Sequence, residues 1–224
     1  MAQDDLPEDE LESMDDDAVD FEEEKENLLL DYRVSIWGGM ESREDVLRIA
    51  KEETLSYRNR YRLCWDEVRC IIEEEFGRKA EEEKSWPEVT DVDRLYAAFA
   101  SIEEKGVIAL HAPSNTMSSC GAVAHGVWSR RGGDASGFFG AVHYSDQDVD
   151  IALEGASTFH IAFQPLGAEE TDAASSRVAL TLVEALRDHG LDASWSGDVG
   201  RKVSLPLVWR KRDATSEPEA TPAP

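Results

Sequence analysis

The residues best suited to chemistry lie near the predicted ends of two strands. His111 directly follows an apolar run, and His143 comes at the end of the next predicted strand. If the two strands are parallel neighbours, their carboxyl ends coincide at the edge where open α/β sheets bind ligands. Thr116 and Asp146 belong to the segments that follow these strands. We therefore predict a ligand-binding site formed by His111, Thr116, His143 and Asp146.

Two more specific chemistries are compatible with the same edge. His111, His143 and Asp146 are residue types that bind metal ions, and a histidine beside Cys120 would activate its thiol as a nucleophile. The spacing requires neither chemistry, because ordinary hydrogen bonds also account for polar side chains at strand ends. No base or oxyanion hole is visible for Cys120. We therefore expect no bound metal and no cofactor, and we assign no catalytic residue.

Familiar catalytic and nucleotide-binding motifs do not occur in the sequence. It contains no P-loop, no glycine-rich dinucleotide fingerprint, no HExxH and no GxSxG, each of which would place defined groups around a substrate. Two further histidines have structural explanations. His189 falls in the last turn of a predicted helix, where a cation is favourable, and His160 lies within a predicted strand. These observations favour a protein that is not an enzyme.

The elements that would position these residues alternate along the second half of the chain. Three predicted helices begin with the spacing of a capping box, at Ser42 and Asp45, Thr90 and Asp93, and Ser145 and Asp148. Hydrophobic periodicity predicts helices over 42–58, 61–84, 117–130 and 171–189. It also predicts strands over 107–110, 138–144 and 159–163. A hairpin of 193–195 with 201–209 would complete the sheet.

The expected fold class is α+β, with one domain built on a mixed sheet of about five strands, flanking helices and an N-terminal helical subdomain. The first 27 residues contain 14 acidic residues and one lysine, too little apolar surface to form a core. We predict a disordered acidic tail over 1–27, a helical segment over 28–85, an α/β core over 86–212 and a second disordered tail over 213–224.

Charge and cysteine usage limit the partners and the compartment. The formal net charge of −25 opposes binding to a nucleic acid backbone, whereas the acidic N-terminal tail would attract a basic protein partner. No apolar run reaches the length of a membrane span, and the first residues lack the pattern of a signal peptide. Three cysteines do not suggest a disulfide framework. We expect a cytoplasmic protein that binds neither nucleic acid nor membrane.

A composite pattern extends over most of residues 33–212. Its parts are SIWGGMESREDV at 35–46, WPEVTDVDRLYAAFASIEEKGVIALH at 86–111, HYSDQDVDIAL at 143–153, FHIAF at 159–163 and WSGDVGRKVSLPLVWRKR at 195–212. This pattern resembles a bacterial family defined as a domain of unknown function, DUF6891. The family has no assigned activity, so the resemblance implies no catalytic residue. Pro113 and Cys120 depart from the family's loop after the buried strand, which weighs against a nucleophilic Cys120.

The resemblance also singles out positions that fit the family beyond packing. They are Trp86, Asp91, Asp93, Arg94, Gln147, Asp148, Trp195, Gly197, Arg201 and Trp209. Among them, Arg94 and Asp148 have opposite charges, and an ion pair between them would be structural.

Two functions from different classes follow from these observations. The first is a non-enzymatic interaction or regulatory module, favoured by the missing catalytic motifs and by the acidic tail. The alternative is an enzyme, or a binder of a small ligand or metal, whose site lies at the strand ends around His111, Thr116, His143 and Asp146.

Overall fold

The computed structural model describes residues 20–56, 60–167 and 171–213. Those residues form eight α-helices and a four-stranded mixed sheet, which confirms the α+β class. The helices are α1 (Phe21–Asp31), α2 (Arg33–Ile36), α3 (Arg43–Thr54), α4 (Trp65–Glu83), α5 (Asp91–Glu104), α6 (Met117–Arg130), α7 (Asp146–Leu153) and α8 (Asp172–Asp188). The strands are β1 (Val107–Leu110), β2 (Gly140–His143), β3 (Phe159–Pro165) and β4 (Val203–Leu205).

Helix α1 begins inside the segment that we predicted to be disordered. Asp20 caps it, since its carboxylate accepts hydrogen bonds from the backbone N–H groups of Glu22 and Glu23. Glutamates in the first turn also favour the positive end of the helix dipole. Leu28 fixes the helix to the protein because it is fully buried. The predicted limit at residue 27 is therefore wrong, and the rest of that tail lies outside the described residues, as do residues 214–224.

Helices α1 to α4 pack around a hydrophobic cluster of their own. Val68, Ile72 and Phe76 recur at helical spacing on α4 and are buried in this cluster. Helix α4 begins at Trp65 rather than at residue 61, because Cys64 is the N-cap and its backbone N–H donates to the carboxylate of Glu67. Cys64 is exposed at this helix start.

The sheet contains four strands in the order β1–β2–β3–β4, not the five that we expected. Strand β2 is parallel to β1 and antiparallel to β3, and β4 is antiparallel to β3. The predicted strand over 193–195 is reduced to a single bridge between Ser194 and Ser204. Strand β4 ends before Pro206, which has no N–H to donate to a neighbouring strand.

Alternation along the strands divides the sheet into two faces. Val107, Val142 and Ile161 point to one face, which α5 and α8 cover and which holds the main hydrophobic core. Ile108 and Ala141 point to the other face, where α6 packs over β1 and β2. We call these the α5/α8 face and the α6 face. Because side chains alternate along a strand, consecutive residues lie on opposite faces.

The chain after β4 joins the helical segment to the sheet. The indole of Trp209 donates to the carbonyl of Gly38 at 3.2 Å, and Lys211 donates to the carbonyl of Gly39 at 2.6 Å. Lys79 on α4, which is fully buried, donates to the carboxylate of Asp213. We name residues 206–213 the C-terminal strap. Asp213 therefore belongs to the ordered protein, although we predicted a disordered tail from that position.

None of the helices in the described ranges combines the length and the apolar composition that crossing a membrane requires.

Candidate functional site

The predicted site residues lie at the same sheet edge but do not share one face. Leu110 pairs with His143 in the parallel register of β1 and β2, so the carboxyl ends of the two strands coincide as expected. His111 is one residue beyond this pair and contacts Tyr144. It therefore lies on the α5/α8 face, whereas His143 lies on the α6 face. The four residues do not line one pocket.

His111 packs among aromatic rings. Its imidazole stacks on Tyr96, with ring centroids 3.7 Å apart, and on Phe99 at 4.7 Å. Its Nδ1 lies 2.9 Å from the hydroxyl of Tyr144. Burial, and secondarily the charge of Lys211, lower the pKa of His111 to about 4. The imidazole is therefore neutral at physiological pH, and its contacts are those of a packed core residue.

His143 is buried beneath the α6 face, with 3% of its surface exposed. Burial and the charge of Lys202 lower the pKa of His143 to about 4, so this imidazole is also neutral. Within the described ranges, its Nδ1 atom has no hydrogen-bond partner. Such an orphaned buried nitrogen costs free energy, and it lies on the opposite face of the sheet from His111.

Thr116 and Cys120 belong to the start of α6. The hydroxyl of Thr116 accepts a hydrogen bond from the backbone N–H of Ser119 at 3.3 Å, which is the geometry of an N-cap. The buried thiol of Cys120 donates to the carbonyl of Ser114 at 3.3 Å. Burial raises the pKa of the Cys120 thiol. The thiol is thus protonated at neutral pH and poorly suited to nucleophilic attack.

Asp146 lines a cleft between the helical segment and the carboxyl edge of the sheet. It is the first residue of α7, and its backbone N–H donates to the carbonyl of Ser114 at 3.3 Å. The cleft has a volume of about 390 Å³. We call it the acidic cleft; it is lined by Leu30, Asp31, Val34, Ser35, Met40, Glu41, Asn115, Asp146, Gln147 and Asp150.

The loop after β1 brings Asn115 to this cleft by a sharp change of direction. Ala112, directly after His111, has a φ of +37°, in the left-handed region that a residue with a side chain adopts only at a cost in free energy. This strained residue ends the strand and turns the chain towards α6. The result is that Asn115 lines the cleft together with Asp146 and Gln147.

The carboxylates of the acidic cleft are only partly neutralised. Arg60 pairs with Asp31 at 2.7 Å, and Arg33 pairs with Asp150 at 2.7 Å. Asp146 and Glu41 form no ion pair with any residue that the structure describes. Burial, and secondarily the charge of Glu41, raise the pKa of Asp146. A cation between these two carboxylates would relieve their repulsion.

The arrangement can attract a positive group, but it does not resemble a metal centre. Over the described part of the chain, no three histidine, cysteine, aspartate or glutamate side chains are grouped so that they could hold a metal ion. Two of the carboxylates already accept hydrogen bonds from arginine or tyrosine. The cleft is therefore better suited to an ammonium or guanidinium group with an apolar stem than to a bare ion.

The sequence indicated only one of the four acidic residues of this cleft. Asp146 was predicted from its position after β2, but Asp31, Glu41 and Asp150 were not singled out. Asp31 and Glu41 come from a helical segment about 100 residues earlier in the chain, and no local pattern indicates which part of the sheet that segment covers. Only the tertiary contact between α2 and α7 brings them to Asp146.

One ion pair expected from the sequence does not form. Arg94 pairs with Asp91 in its own helix at 3.1 Å, and Asp148 pairs with Lys202 at 3.2 Å. Arg94 and Asp148 therefore form ion pairs with other residues and not with each other.

Comparisons with known proteins bear on the family. A family model described as "Domain of unknown function (DUF6891)" matches residues 22–213. Searches of curated proteins and of solved structures gave no match. The matched region starts at the second residue of α1 and ends in the C-terminal strap, so it covers the sheet, helices α2 to α8 and all but the first residue of α1. The resemblance noted in the sequence is thereby confirmed, and the chain belongs to the DUF6891 family.

Proposed function

We propose that this protein is a non-enzymatic interaction or regulatory module whose acidic cleft binds a basic side chain of a partner protein. One observation carries the proposal: Asp146 and Glu41 line the same cleft, and neither carboxylate forms an ion pair with a residue that the structure describes. Carboxylates held together in this way gain free energy when a positive group enters. A lysine or arginine side chain supplies that group.

The shape and lining of the cleft support this class of ligand. Leu30, Val34 and Met40 line it beside the carboxylates, and long basic side chains bury their aliphatic stems against such apolar residues while the charged head stays near water. The volume of about 390 Å³ is at the small end of ligand pockets. It suits one or two side chains of a partner better than a large cofactor.

The sequence before α1 and the first turn of α1 are also acidic. Helix α1 leads from this segment to the cleft, where its last turn provides Leu30 and Asp31. Glu22, Glu23 and Glu24 in its first turn are acidic as well. Such a concentration of one charge accelerates the encounter with an oppositely charged partner. In this proposal the segment attracts the basic partner, and the cleft holds it.

The compartment and the excluded partners belong to the proposal too. All three cysteines are free thiols, which supports a reducing compartment such as the cytoplasm. A net charge of −25 repels the phosphates of nucleic acids, so a basic protein is the partner class that the charge favours.

The test is the affinity of the full chain for a fluorescent decalysine peptide, measured by anisotropy at low salt. We compare the wild type with a Glu41→Gln/Asp146→Asn variant and with a matched Glu74→Gln/Glu104→Gln variant. Glu74 and Glu104 are exposed, and Glu104 lies near the opposite edge of the sheet, just before β1. Both variants remove two negative charges, so a purely general electrostatic attraction would fall equally in both.

We expect the cleft variant to bind decalysine roughly tenfold more weakly, since each surface charge pair contributes up to about 1 kcal/mol. The control variant should change the affinity by less than about twofold. Equal weakening in the two variants would refute a specific site in the cleft.

A chain that begins at Asp20 tests the part played by the N-terminal tail. Slower association with decalysine than in the full chain, with an unchanged dissociation rate, would support the steering role. An unchanged association rate would remove the tail from the proposal.

A further inference from the structure

A second polar surface lies on the α6 face of the sheet, beyond the part that α6 covers. His160 on β3 pairs with Ser204 on β4, and both side chains point to this face. His160 is exposed, in contrast to the buried residues of the α5/α8 face on the same strands. The turn that precedes β4 borders these residues, and a groove of about 510 Å³ lies between them. We call it the basic groove.

The charge of this groove is opposite to that of the protein as a whole. It is lined by His160, Ser196, Gly200, Arg201, Lys202 and Ser204, with two cationic side chains, one histidine and no acidic residue. The chain contains 48 acidic and 23 basic residues, so a lining of this kind is not what the composition would produce on average. It concentrates positive charge in a protein whose net charge is −25.

The ion pairs around the basic groove neutralise only part of its positive charge. Lys202 contacts Asp148 at 3.2 Å, so one cation is balanced. Arg201 forms no ion pair within the described ranges, although it is surrounded by a strongly acidic protein. An arginine presents several N–H donors in a planar fork that matches phosphate and carboxylate oxygens. The net charge that the groove offers to a ligand is therefore close to that of one free guanidinium group.

The turn that carries Arg201 is held in place by side chains outside the groove. The indole N–H of Trp195 donates to the carbonyls of Asp198 and Arg201, at 3.1 Å and 3.0 Å. The carboxylate of Asp198 accepts a hydrogen bond from the backbone N–H of Gly200 at 2.9 Å, which turns this acid towards its own backbone. Arg201 thus extends from a fixed backbone, which lowers the entropy lost when it binds a ligand.

Hydroxyl groups in the groove keep hydrogens for a ligand. The Ser196 hydroxyl accepts from the backbone N–H of Asp198 at 3.3 Å, so its own hydrogen is free to be donated. Ser204 has its hydroxyl 3.4 Å from that of Ser194, a long and weak contact. Guanidinium, imidazole and hydroxyl donors around one space are the set that recognises a phosphate oxyanion.

We infer that the basic groove is a binding site for a small phosphate-bearing anion, either free phosphate or a phosphate monoester. A long polyanion is excluded because the surrounding protein would repel it at every phosphate outside the groove. The inference is independent of the acidic cleft, since the two sites share no lining residue. It also gives a role to Trp195 and Arg201, which the family resemblance singled out without a function.

The test is a titration of the isotope-labelled full chain with two probes at low salt, inorganic phosphate and phenyl phosphate, followed by amide and histidine NMR shifts. We expect saturable shifts confined to residues 196–204 and to His160, with a dissociation constant of about 1 mM or less. Saturation by both probes, or by phenyl phosphate alone, indicates a phosphate monoester. Saturation by inorganic phosphate alone indicates the free anion.

Two single-residue variants distinguish a specific phosphate site from a general electrostatic attraction to the protein. Arg201→Gln should weaken phosphate binding roughly tenfold, because it removes the unpaired guanidinium. Arg130→Gln removes the same charge from the exposed end of α6 and should change the affinity by less than about twofold. The absence of saturable shifts with both probes in the wild type would overturn the inference, and so would equal weakening by the two variants.

Discussion

At the scale of single residues, the carboxylate of Asp146 is the group on which the proposed function depends. It is half-buried at the first turn of α7, and burial and Glu41 raise its pKa. In the free protein the ionised form is therefore less favourable than in water. A bound ammonium or guanidinium group reverses this preference, because opposite charge stabilises the ionised carboxylate.

This reversal predicts how binding depends on pH. A cation favours ionised Asp146, so the affinity for decalysine should rise as the pH increases through the raised pKa of the free protein. The rise should be steeper in the wild type than in Asp146→Asn between about pH 4 and pH 7, since the variant retains only the titration of the other carboxylates. Anisotropy titrations at several pH values measure it. Parallel pH profiles for both proteins would show that Asp146 does not contact the cation.

At the scale of helices and strands, local signals predicted much of the structure. The capping boxes of α5 and α7 form as expected, with Thr90 and Ser145 as N-caps. The apolar run of β1 is a strand whose first two residues are buried. These features depend on residues close together in sequence. The length of β4 and the loss of a fifth strand depend on partners elsewhere in the chain, which local patterns do not identify.

Strand register explains why the predicted histidine site does not form. The coincident ends of β1 and β2 were predicted correctly, but His111 lies one residue beyond the partner of His143. A shift of one residue exchanges the two faces of a sheet. The sequence defines which residues end each strand, whereas the offset between the two ends is set by packing in three dimensions.

The cap of α6 leads to a prediction that separates a structural role from a ligand role for Thr116. Thr116→Ala removes the acceptor for the N–H of Ser119 and should cost about 1 kcal/mol of unfolding free energy. Thr116→Ser keeps the hydroxyl and should restore most of that loss. Urea denaturation measures both. Decalysine affinity should be the same in both variants, and a loss of affinity in Thr116→Ala would instead place the hydroxyl in the binding site.

At the scale of the whole molecule, the C-terminal strap connects the two hydrophobic clusters. It contacts α4 through Lys79 and Asp213, and the loop after α2 through Trp209 and Lys211. The acidic cleft lies between the helices that this strap holds to the sheet. Its geometry depends on contacts between residues far apart in sequence, which is why one of its four acidic residues was predicted and three were not. The division at residues 85 and 86 stays a prediction.

The buried ammonium of Lys79 is the most sensitive point of this connection. Asp213→Asn removes its main carboxylate partner and leaves Glu83 at 3.8 Å and the carbonyl of Ile36. We expect a loss of about 1–3 kcal/mol in unfolding free energy, because a buried charge that loses a partner is destabilising. In a Lys79→Met background the same change should have little effect, as a double-mutant cycle would measure. Equal losses in both backgrounds would show that the two side chains do not interact.

The most direct measurement of the central claim is a map of where a basic peptide binds. Isotope-labelled full-length protein is titrated with unlabelled decalysine, and amide shifts are followed by NMR. Binding in the acidic cleft predicts the largest shifts at Glu41, Asn115, Asp146 and Asp150, with loss of these shifts in Glu41→Gln/Asp146→Asn. Shifts confined to the first 19 residues, or spread evenly over all acidic surfaces, would contradict the account.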